Sequence, residues 1–329
     1  MKRIAINGLG RIGRAALKVI LETQELEIVA VNDLLHIENA AYLLRYDSVY
    51  GKYNKEVSIH DDQLQVGNTR IKYFSEKNPG DLPWKDLNID VVIESTGFFT
   101  NREDAEKHIH AGAKTVVISG PTKSKDTPTV VHGVNTQDGK VNIFSCASCT
   151  TNNISPLIEI LGRRIGIKKA ILNTVHAYTA SQSLIDGPSR KEPRMGRAAA
   201  MNLAPASTGA AIATTKALPQ YEGKFDGVAV RAPVVVGSIS DVTFIAERAT
   251  TAEEVNAILK EESLSERYQE VLSVSDEPLV STDIIQSTYA AVVDMEMTRV
   301  VDGDLVKVMA WYDNEWGFTN QMIRQIKSL

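Results

Sequence analysis

Lys2-Arg3-Ile4-Ala5-Ile6-Asn7-Gly8-Leu9-Gly10-Arg11-Ile12-Gly13 begins as an apolar strand, Lys2 to Asn7, and closes on the spacing G-x-G-x-x-G. Apolar residues then recur at Ala16, Leu17, Ile20 and Leu21, the period of a helix, and Ile28 to Val31 reads as a second strand with Asp33 at its tip. The glycine spacing alone is a weak signal. Set between a strand and a helix, with an acid at the next strand end, it points to dinucleotide binding. Gly8 permits the tight turn, Gly10 lets the backbone approach a pyrophosphate, and Gly13 lets helix and strand pack closely. The helix N-terminus then faces the phosphates. A carboxylate at Asp33 accepts ribose hydroxyls and repels a 2′-phosphate, and Leu34 and Leu35 offer no cation, so NAD is expected over NADP.

Outward from this unit the alternation continues. A helical pattern covers His36 to Tyr46, and hairpin strands run from Tyr53 to Tyr73 around Gly67-Asn68. Asp90 to Glu94 and Lys114 to Ile118 are apolar runs ending in Ser95-Thr96-Gly97 and Ser119-Gly120-Pro121, with a helix from Arg102 to Ala111 between them. Strands alternating with helices imply a parallel sheet with ligands at the carboxyl ends of its strands.

The next such end is Ser145-Cys146-Ala147-Ser148-Cys149-Thr150-Thr151-Asn152, between a short strand (Val141 to Phe144) and a segment periodic at Ile154, Leu157, Ile158 and Leu161 with Pro156 in its first turns. A thiol at a helix start meets unpaired N–H groups and the positive end of the dipole, so Cys149 is expected to ionise more easily than a free thiol. Ser148, Thr150 and Thr151 add hydroxyl donors.

Beyond it the pattern changes. Lys168 to Tyr178 is a long alternating strand carrying His176, and residues 179–205 read as a loop rich in cations, Arg190, Lys191, Arg194 and Arg197. A loop of that length inside a compact protein is usually functional. Ser207-Thr208-Gly209 opens an Ala-rich helix. Gly227 to Val236, with Arg231, and Ser238 to Glu247 read as long antiparallel strands. Thr251 opens a helix to about Leu264, strands follow near 288–301 and 304–312, and Asn314 to Leu329 closes the chain as an amphipathic helix. The fold class is therefore α/β: a Rossmann-type parallel-sheet domain over 1–148, then an α+β domain over 149–314 with a mainly antiparallel sheet.

Composition narrows the function. A net charge of −5 argues against a nucleic-acid surface. No apolar run approaches the roughly 20 residues that span a bilayer, and no basic-then-apolar leader opens the chain, so a cytoplasmic protein is expected. The 2 cysteines, Cys146 and Cys149, exclude a disulfide scaffold and a four-cysteine zinc site. Their C-x-x-C spacing leaves open a thiol–disulfide or redox-sensing protein. His108 and His110 lie on different faces of a helix, and no metal site is expected.

Asn7 to Arg14, Asn32-Asp33, Ala147 to Asn152, His176-Ala177-Tyr178-Thr179, Ser207 to Ala211 and Trp311-Tyr312-Asp313-Asn314-Glu315 together resemble the phosphorylating glyceraldehyde-3-phosphate dehydrogenase family, nearly end to end. The resemblance implies oxidation of glyceraldehyde 3-phosphate with NAD and inorganic phosphate to 1,3-bisphosphoglycerate. It also implies a cytoplasmic homotetramer whose C-terminal helix, 315–329, completes the nucleotide-binding domain. Erythrose-4-phosphate dehydrogenase, on the same scaffold, is the alternative.

Residue by residue, the resemblance makes Cys149 the nucleophile and His176 its acid–base partner. It puts Arg11 and Ile12 on the pyrophosphate, Lys77, Thr96 and Ser119 on other cofactor edges, and Asn314 on the nicotinamide carboxamide. Thr179 and Arg231 would hold the substrate phosphate, and Ser148, Thr150, Thr208 and Gly209 the attacking phosphate, with Arg194 adding positive potential. The chain departs from the family pattern at Cys146, usually asparagine, at Asn153, often cysteine, and at Val235-Val236-Gly237.

Overall fold

The structure, a computed structural model, describes residues 1–135, 141–189 and 192–329. The described residues form two compact units: 1–130, 141–147 and 322–329 make the first, and 131–135 with 148–321 the second. Arg190 and Lys191 of the cationic loop lie outside the described residues.

The first unit holds β1 (Lys2–Asn7), α1 (Arg11–Ile20), β2 (Leu26–Asn32), α2 (Ile37–Arg45), β3 (Tyr46–Asp47), β4 (Gly51–Lys52), β5 (Val57–His60), β6 (Gln63–Val66), β7 (Thr69–Phe74), β8 (Val91–Glu94), α3 (Arg102–His110), β9 (Thr115–Ile118) and β10 (Ile143–Ser145). Eight of these strands form one sheet in the order β10-β9-β8-β1-β2-β7-β6-β5. Pairing is parallel from β10 to β7 and antiparallel across β7, β6 and β5. The parallel strands are continuous apolar runs because both faces are covered: every residue of β8 is buried.

The second unit holds α4 (Cys149–Arg164), β11 (Ile167–Ala177), β12 (Ala204–Ser207), α5 (Ala210–Ala217), β13 (Phe225–Ala232), β14 (Ser238–Ala246), α6 (Ala252–Ser263), β15 (Leu272–Ser275), β16 (Ala291–Val301) and β17 (Leu305–Tyr312). The closing helix α7 (Trp316–Lys327) starts here, and its residues from Met322 belong to the first unit. The sheet runs β12-β13-β11-β14-β17-β16-β15. Its strands alternate buried and half-buried positions, as β14 does without a break, which marks a sheet covered on one face.

Two local expectations change. The strands carrying Arg231 and Ser238 do not pair with each other; β11 lies between them, parallel to β13 and antiparallel to β14. The stretch 179–205 is not wholly irregular, because Pro193–Gly196 forms a 3₁₀ turn and β12 starts at Ala204. Pro156 stands inside α4, the eighth residue of a helix that begins at Cys149. Among the described residues no helix is long and apolar enough to cross a membrane.

Candidate active site

In the first unit the glycine turn lies between β1 and α1, and each glycine is required for a different reason. Gly8 has φ 97°, and a Cβ there would lie 2.7 Å from the Thr96 backbone nitrogen. A Cβ on Gly13 would lie 1.8 Å from the Gly8 carbonyl oxygen, so only glycine lets α1 start this close to the turn. Gly10 is the opposite case, with no protein atom within 4 Å of where its Cβ would stand. Its backbone borders a groove of about 820 Å³ that Gly8, Asp33, Lys77, Thr96 and Phe98 also line. Bare backbone facing open space beside a helix N-terminus fits a pyrophosphate.

Asp33 stands at the groove with both oxygens engaged: Oδ2 accepts from the Leu9 N–H at 2.6 Å and Oδ1 from the Leu35 N–H at 2.9 Å. Its carboxylate thus braces the glycine turn as well as facing the groove. Arg11 is drawn to Asp47 at 2.6 Å, with its guanidinium 5.3 Å from the Tyr50 ring centroid. Ile12, on the first turn of α1, and Ser119, just past β9, are half-buried and do not line the groove.

In the second unit Cys149 is the first residue of α4. Ser148 caps the helix by accepting from the Thr151 N–H at 3.1 Å, and the chain enters through Ala147 at φ 58°. Cys149 Sγ lies 3.3 Å from His176 Nε2. The parallel register of β11 and β13 sets His176 opposite Arg231, and Arg231 Nη1 comes within 2.6 Å of His176 Nδ1 and 3.0 Å of the Ala177 carbonyl. Nδ1 is also 2.7 Å from that carbonyl. One atom cannot accept from the guanidinium and donate to the carbonyl, so only one of these two Nδ1 contacts is a hydrogen bond in a given tautomer of the ring. With Nδ1 donating to Ala177, neutral His176 has a bare Nε2 facing the sulfur, able to take its proton and become an imidazolium; with Nδ1 accepting from Arg231, the ring is neutral and its Nε2–H points at the sulfur.

The electrostatics correct the expectation of an easily ionised thiol. Burial pushes the Cys149 thiol up, and outweighs the opposing pull of Arg231, the Thr150 hydroxyl and the helix-start N–H groups. Burial, with help from Arg231, holds His176 down at about 4. Either charge alone is disfavoured here, and at 3.3 Å each is the group placed to compensate the other. Cys146 is buried and outside any disulfide, its thiol pushed up to about 12 by burial. That environment suits a packed side chain better than a reactive one.

Two hydroxyls and a phenol support this pair, and sequence reading gave no role to two of the three residues. Thr174 Oγ1 donates to the Ile239 carbonyl at 3.2 Å, so it accepts from Tyr312 Oη at 2.9 Å, and Oη accepts in turn from Thr150 Oγ1 at 2.9 Å. The Tyr312 ring meets His176 edge-on, with centroids 5.9 Å apart. Thr174 could have been found, since it shares a strand face with His176 two residues on. Tyr312 could not, because its contact spans the sheet. Ser238 was missed too: it accepts from the Ala177 N–H at 3.1 Å and donates to Asn314 Oδ1 at 3.0 Å. Asn314 Oδ1 also accepts from the Gly237 N–H at 3.2 Å, so its carbonyl end is fixed by two donors.

Among the described residues, no hydrogen bond joins the remaining anion-site candidates to this cluster. Thr179 pairs with Ser181 at 2.8 Å, and Thr208 Oγ1 accepts from the Ala210 N–H at 3.2 Å. Gly209 caps α5 with open space where a Cβ would be, and Arg194 is exposed with Nη1 3.5 Å from the Pro205 carbonyl. Asn153, a departure noted above, is buried and reaches the Ala290 and Trp311 carbonyls at 3.3 Å each.

Residues 2–102 match the sequence profile of the NAD binding domain of glyceraldehyde 3-phosphate dehydrogenase, and 148–314 that of its C-terminal domain. The chain is 46% identical to glyceraldehyde-3-phosphate dehydrogenase 2 of Streptomyces avermitilis over 98% of its own length and 96% of the relative's. It is 44% identical to the Clostridium acetobutylicum enzyme over 99% and 98%, and 46% identical to that of Thermotoga maritima over 100% and 99%.

Proposed function

The chain belongs to the glyceraldehyde-3-phosphate dehydrogenase family, and we propose that it oxidises glyceraldehyde 3-phosphate with NAD and inorganic phosphate to 1,3-bisphosphoglycerate. The observation that carries this reading is the thiol of Cys149 at a helix start, 3.3 Å from His176 Nε2. In the proposed mechanism Cys149 Sγ adds to the aldehyde carbon as its proton passes to Nε2, which returns it to the carbonyl oxygen to give a hemithioacetal and a neutral His176. His176 then takes the hydroxyl proton while the carbon is oxidised. NAD, when bound, supplies the hydride acceptor. Protonated His176 and the Cys149 N–H stabilise the oxyanion when phosphate attacks the thioester. Arg231 and Thr179 hold the substrate phosphate, Arg231 being suited to two-pronged contact. Ser148, Thr150, Thr208 and Gly209 receive the attacking phosphate, with Arg194 nearby in sequence to add positive potential.

On the cofactor side, Gly8, Gly10 and Gly13 shape the pyrophosphate turn, with Arg11 and Ile12 beside it. Asp33 meets the adenosine ribose and disfavours NADP, Lys77, Thr96 and Ser119 flank the remaining edges, and the Asn314 amide holds the carboxamide. The working division is a cofactor domain over 1–148 completed by 315–329, and a catalytic domain over 149–314. A homotetramer in the cytoplasm is the working assembly. Its support is the sheet face of the second unit, where Ile171 is 59% and Val228 53% exposed beside Val175 and Leu305.

Incubation with NAD and glyceraldehyde 3-phosphate without phosphate tests the chemistry. The peptide bearing Cys149 should gain the mass of the phosphoglyceroyl group and lose it when phosphate is added. An unmodified Cys149 after NADH has formed would contradict a thioester route.

A further inference from the structure

Behind the glycine turn, the first unit buries an acid that the mechanism does not use. Glu94, the last residue of β8, is 1% exposed, and His108, on α3, is fully buried. Glu94 Oε2 accepts from Asn7 Nδ2 at 2.6 Å and His108 Nε2 at 3.1 Å; Oε1 accepts from the Thr96 N–H at 2.8 Å and from the Thr96 hydroxyl. The histidine state follows from its other side. Trp84 Nε1 lies 2.9 Å from His108 Nδ1, and an indole can only donate, so Nδ1 accepts and Nε2 carries the hydrogen aimed at Glu94. Four donors therefore fill the acceptor positions of one carboxylate.

The chain of bonds runs on. Asn7 Oδ1 accepts from Asn32 Nδ2 at 2.7 Å, and Asn32 grips the Glu76 backbone at both ends, Oδ1 to N–H at 2.8 Å and Nδ2 to carbonyl at 2.9 Å. Thr96 Oγ1, having donated to Glu94, accepts from the Phe98 N–H at 3.1 Å. These tied residues sit at or beside the walls of the groove: Asn7 before Gly8, Asn32 before Asp33, Glu76 before Lys77, Glu94 just before Thr96. Four separate strand ends are thus tied in one chain of bonds, which starts at the buried Glu94 carboxylate and passes through Asn7 to Asn32 and Glu76.

We infer that Glu94 is the positioning residue of the cofactor groove, holding its walls in their ligand-ready arrangement before the dinucleotide arrives. The inference rests on the reading that this groove takes NAD. Buried networks specify geometry when fully satisfied and lose it when one member is removed. Glu94→Gln keeps the shape but turns an NH₂ toward one pair of donors, leaving that pair without an acceptor.

The test is NAD affinity by calorimetric titration of the full-length protein, alongside kcat at saturating NAD. Glu94→Gln should raise the dissociation constant about 10- to 100-fold, the scale of leaving buried donors unpaired, with kcat within about threefold. His108→Leu, which touches no groove surface, should weaken binding in the same sense. His108→Gln, able to donate to Glu94 and accept from Trp84, should restore it, and the two histidine variants decide the matter if Glu94→Gln does not fold. Folded variants that melt earlier yet bind NAD within twofold of wild type would overturn the inference and leave Glu94 a core residue. A wild-type protein that does not bind NAD would instead refute the reading of the groove.

Discussion

The same methyl group placed on Gly10 and on Gly13 should produce opposite defects. At Gly13 the new Cβ would start 1.8 Å from the Gly8 oxygen and 3.0 Å from Ser95 Oγ. Reaching ordinary contact requires α1 and the turn to part by more than about 1 Å. That motion also strains the bonds from Ser95 Oγ to the Gly8 and Asn7 carbonyls, now 2.7 and 3.1 Å. Overpacking costs about 1–3 kcal/mol and a weakened hydrogen bond about 1, against about 1 returned by alanine's helix propensity, so Gly13→Ala should lose about 1–3 kcal/mol of stability. At Gly10 the backbone is at φ −64°, open to alanine, and nothing lies within 4 Å. Gly10→Ala should therefore change stability by less than about 0.5 kcal/mol. Its methyl occupies the space left for the pyrophosphate, so NAD affinity should fall at least about tenfold, or about 1.4 kcal/mol. Urea unfolding and calorimetric NAD titration of the two variants separate these outcomes. Gly10→Ala binding NAD like wild type, or Gly13→Ala as stable as wild type, would refute the assignment of the two glycines.

Cys149→Ser should abolish NADH formation while leaving NAD binding within about twofold, and His176→Asn should slow turnover by roughly two to four decades, the usual worth of a positioned base; a histidine variant of near-normal rate would reduce His176 to a core residue. Tyr312→Phe removes the centre of the Thr150–Tyr312–Thr174 chain, in which both contacts are 2.9 Å, and should cost about 1–3 kcal/mol in urea unfolding; a loss below about 0.3 would show that the hydroxyls re-pair without it. Because His176 is held at about 4 against 6.5 for a free imidazole, the unfolded chain takes up that proton first. Stability from this group is complete above about pH 6.5 and is lost as the pH falls toward 4, by about 3 kcal/mol in full. His176→Asn should lack that part of the acid loss, whereas parallel urea midpoints for the two proteins from pH 7 to 4 would contradict it.

What could be read from the chain was what local chemistry determines. The glycine turn declares itself because tight φ, close packing and open approach are demands on single residues. The continuous apolar strands of the first unit and the alternating strands of the second likewise announce a sheet covered on two faces and on one. Cys149 at a helix start was legible for the same reason, since Ser148 and the following threonines are cap chemistry. Its ionisation was not, because burial is set by what packs around it, and burial outweighs the helix start. The contact between His176 and Arg231 depends on β11 pairing with β13 rather than β14 with β13, a register between strands far apart in sequence. Tyr312, Ser238 and Glu94 act across such pairings too. Nothing in their immediate neighbours distinguishes them from ordinary strand residues.

The central claim is that Cys149 and His176 perform a phosphate-dependent aldehyde oxidation, and its most direct measurement is NADH absorbance with glyceraldehyde 3-phosphate and NAD, with and without inorganic phosphate. The account predicts steady turnover with phosphate, and without it a burst of at most one NADH per Cys149 followed by near-arrest as the thioester accumulates. Equal steady rates in both conditions, or sustained NADH production by Cys149→Ser, would contradict it.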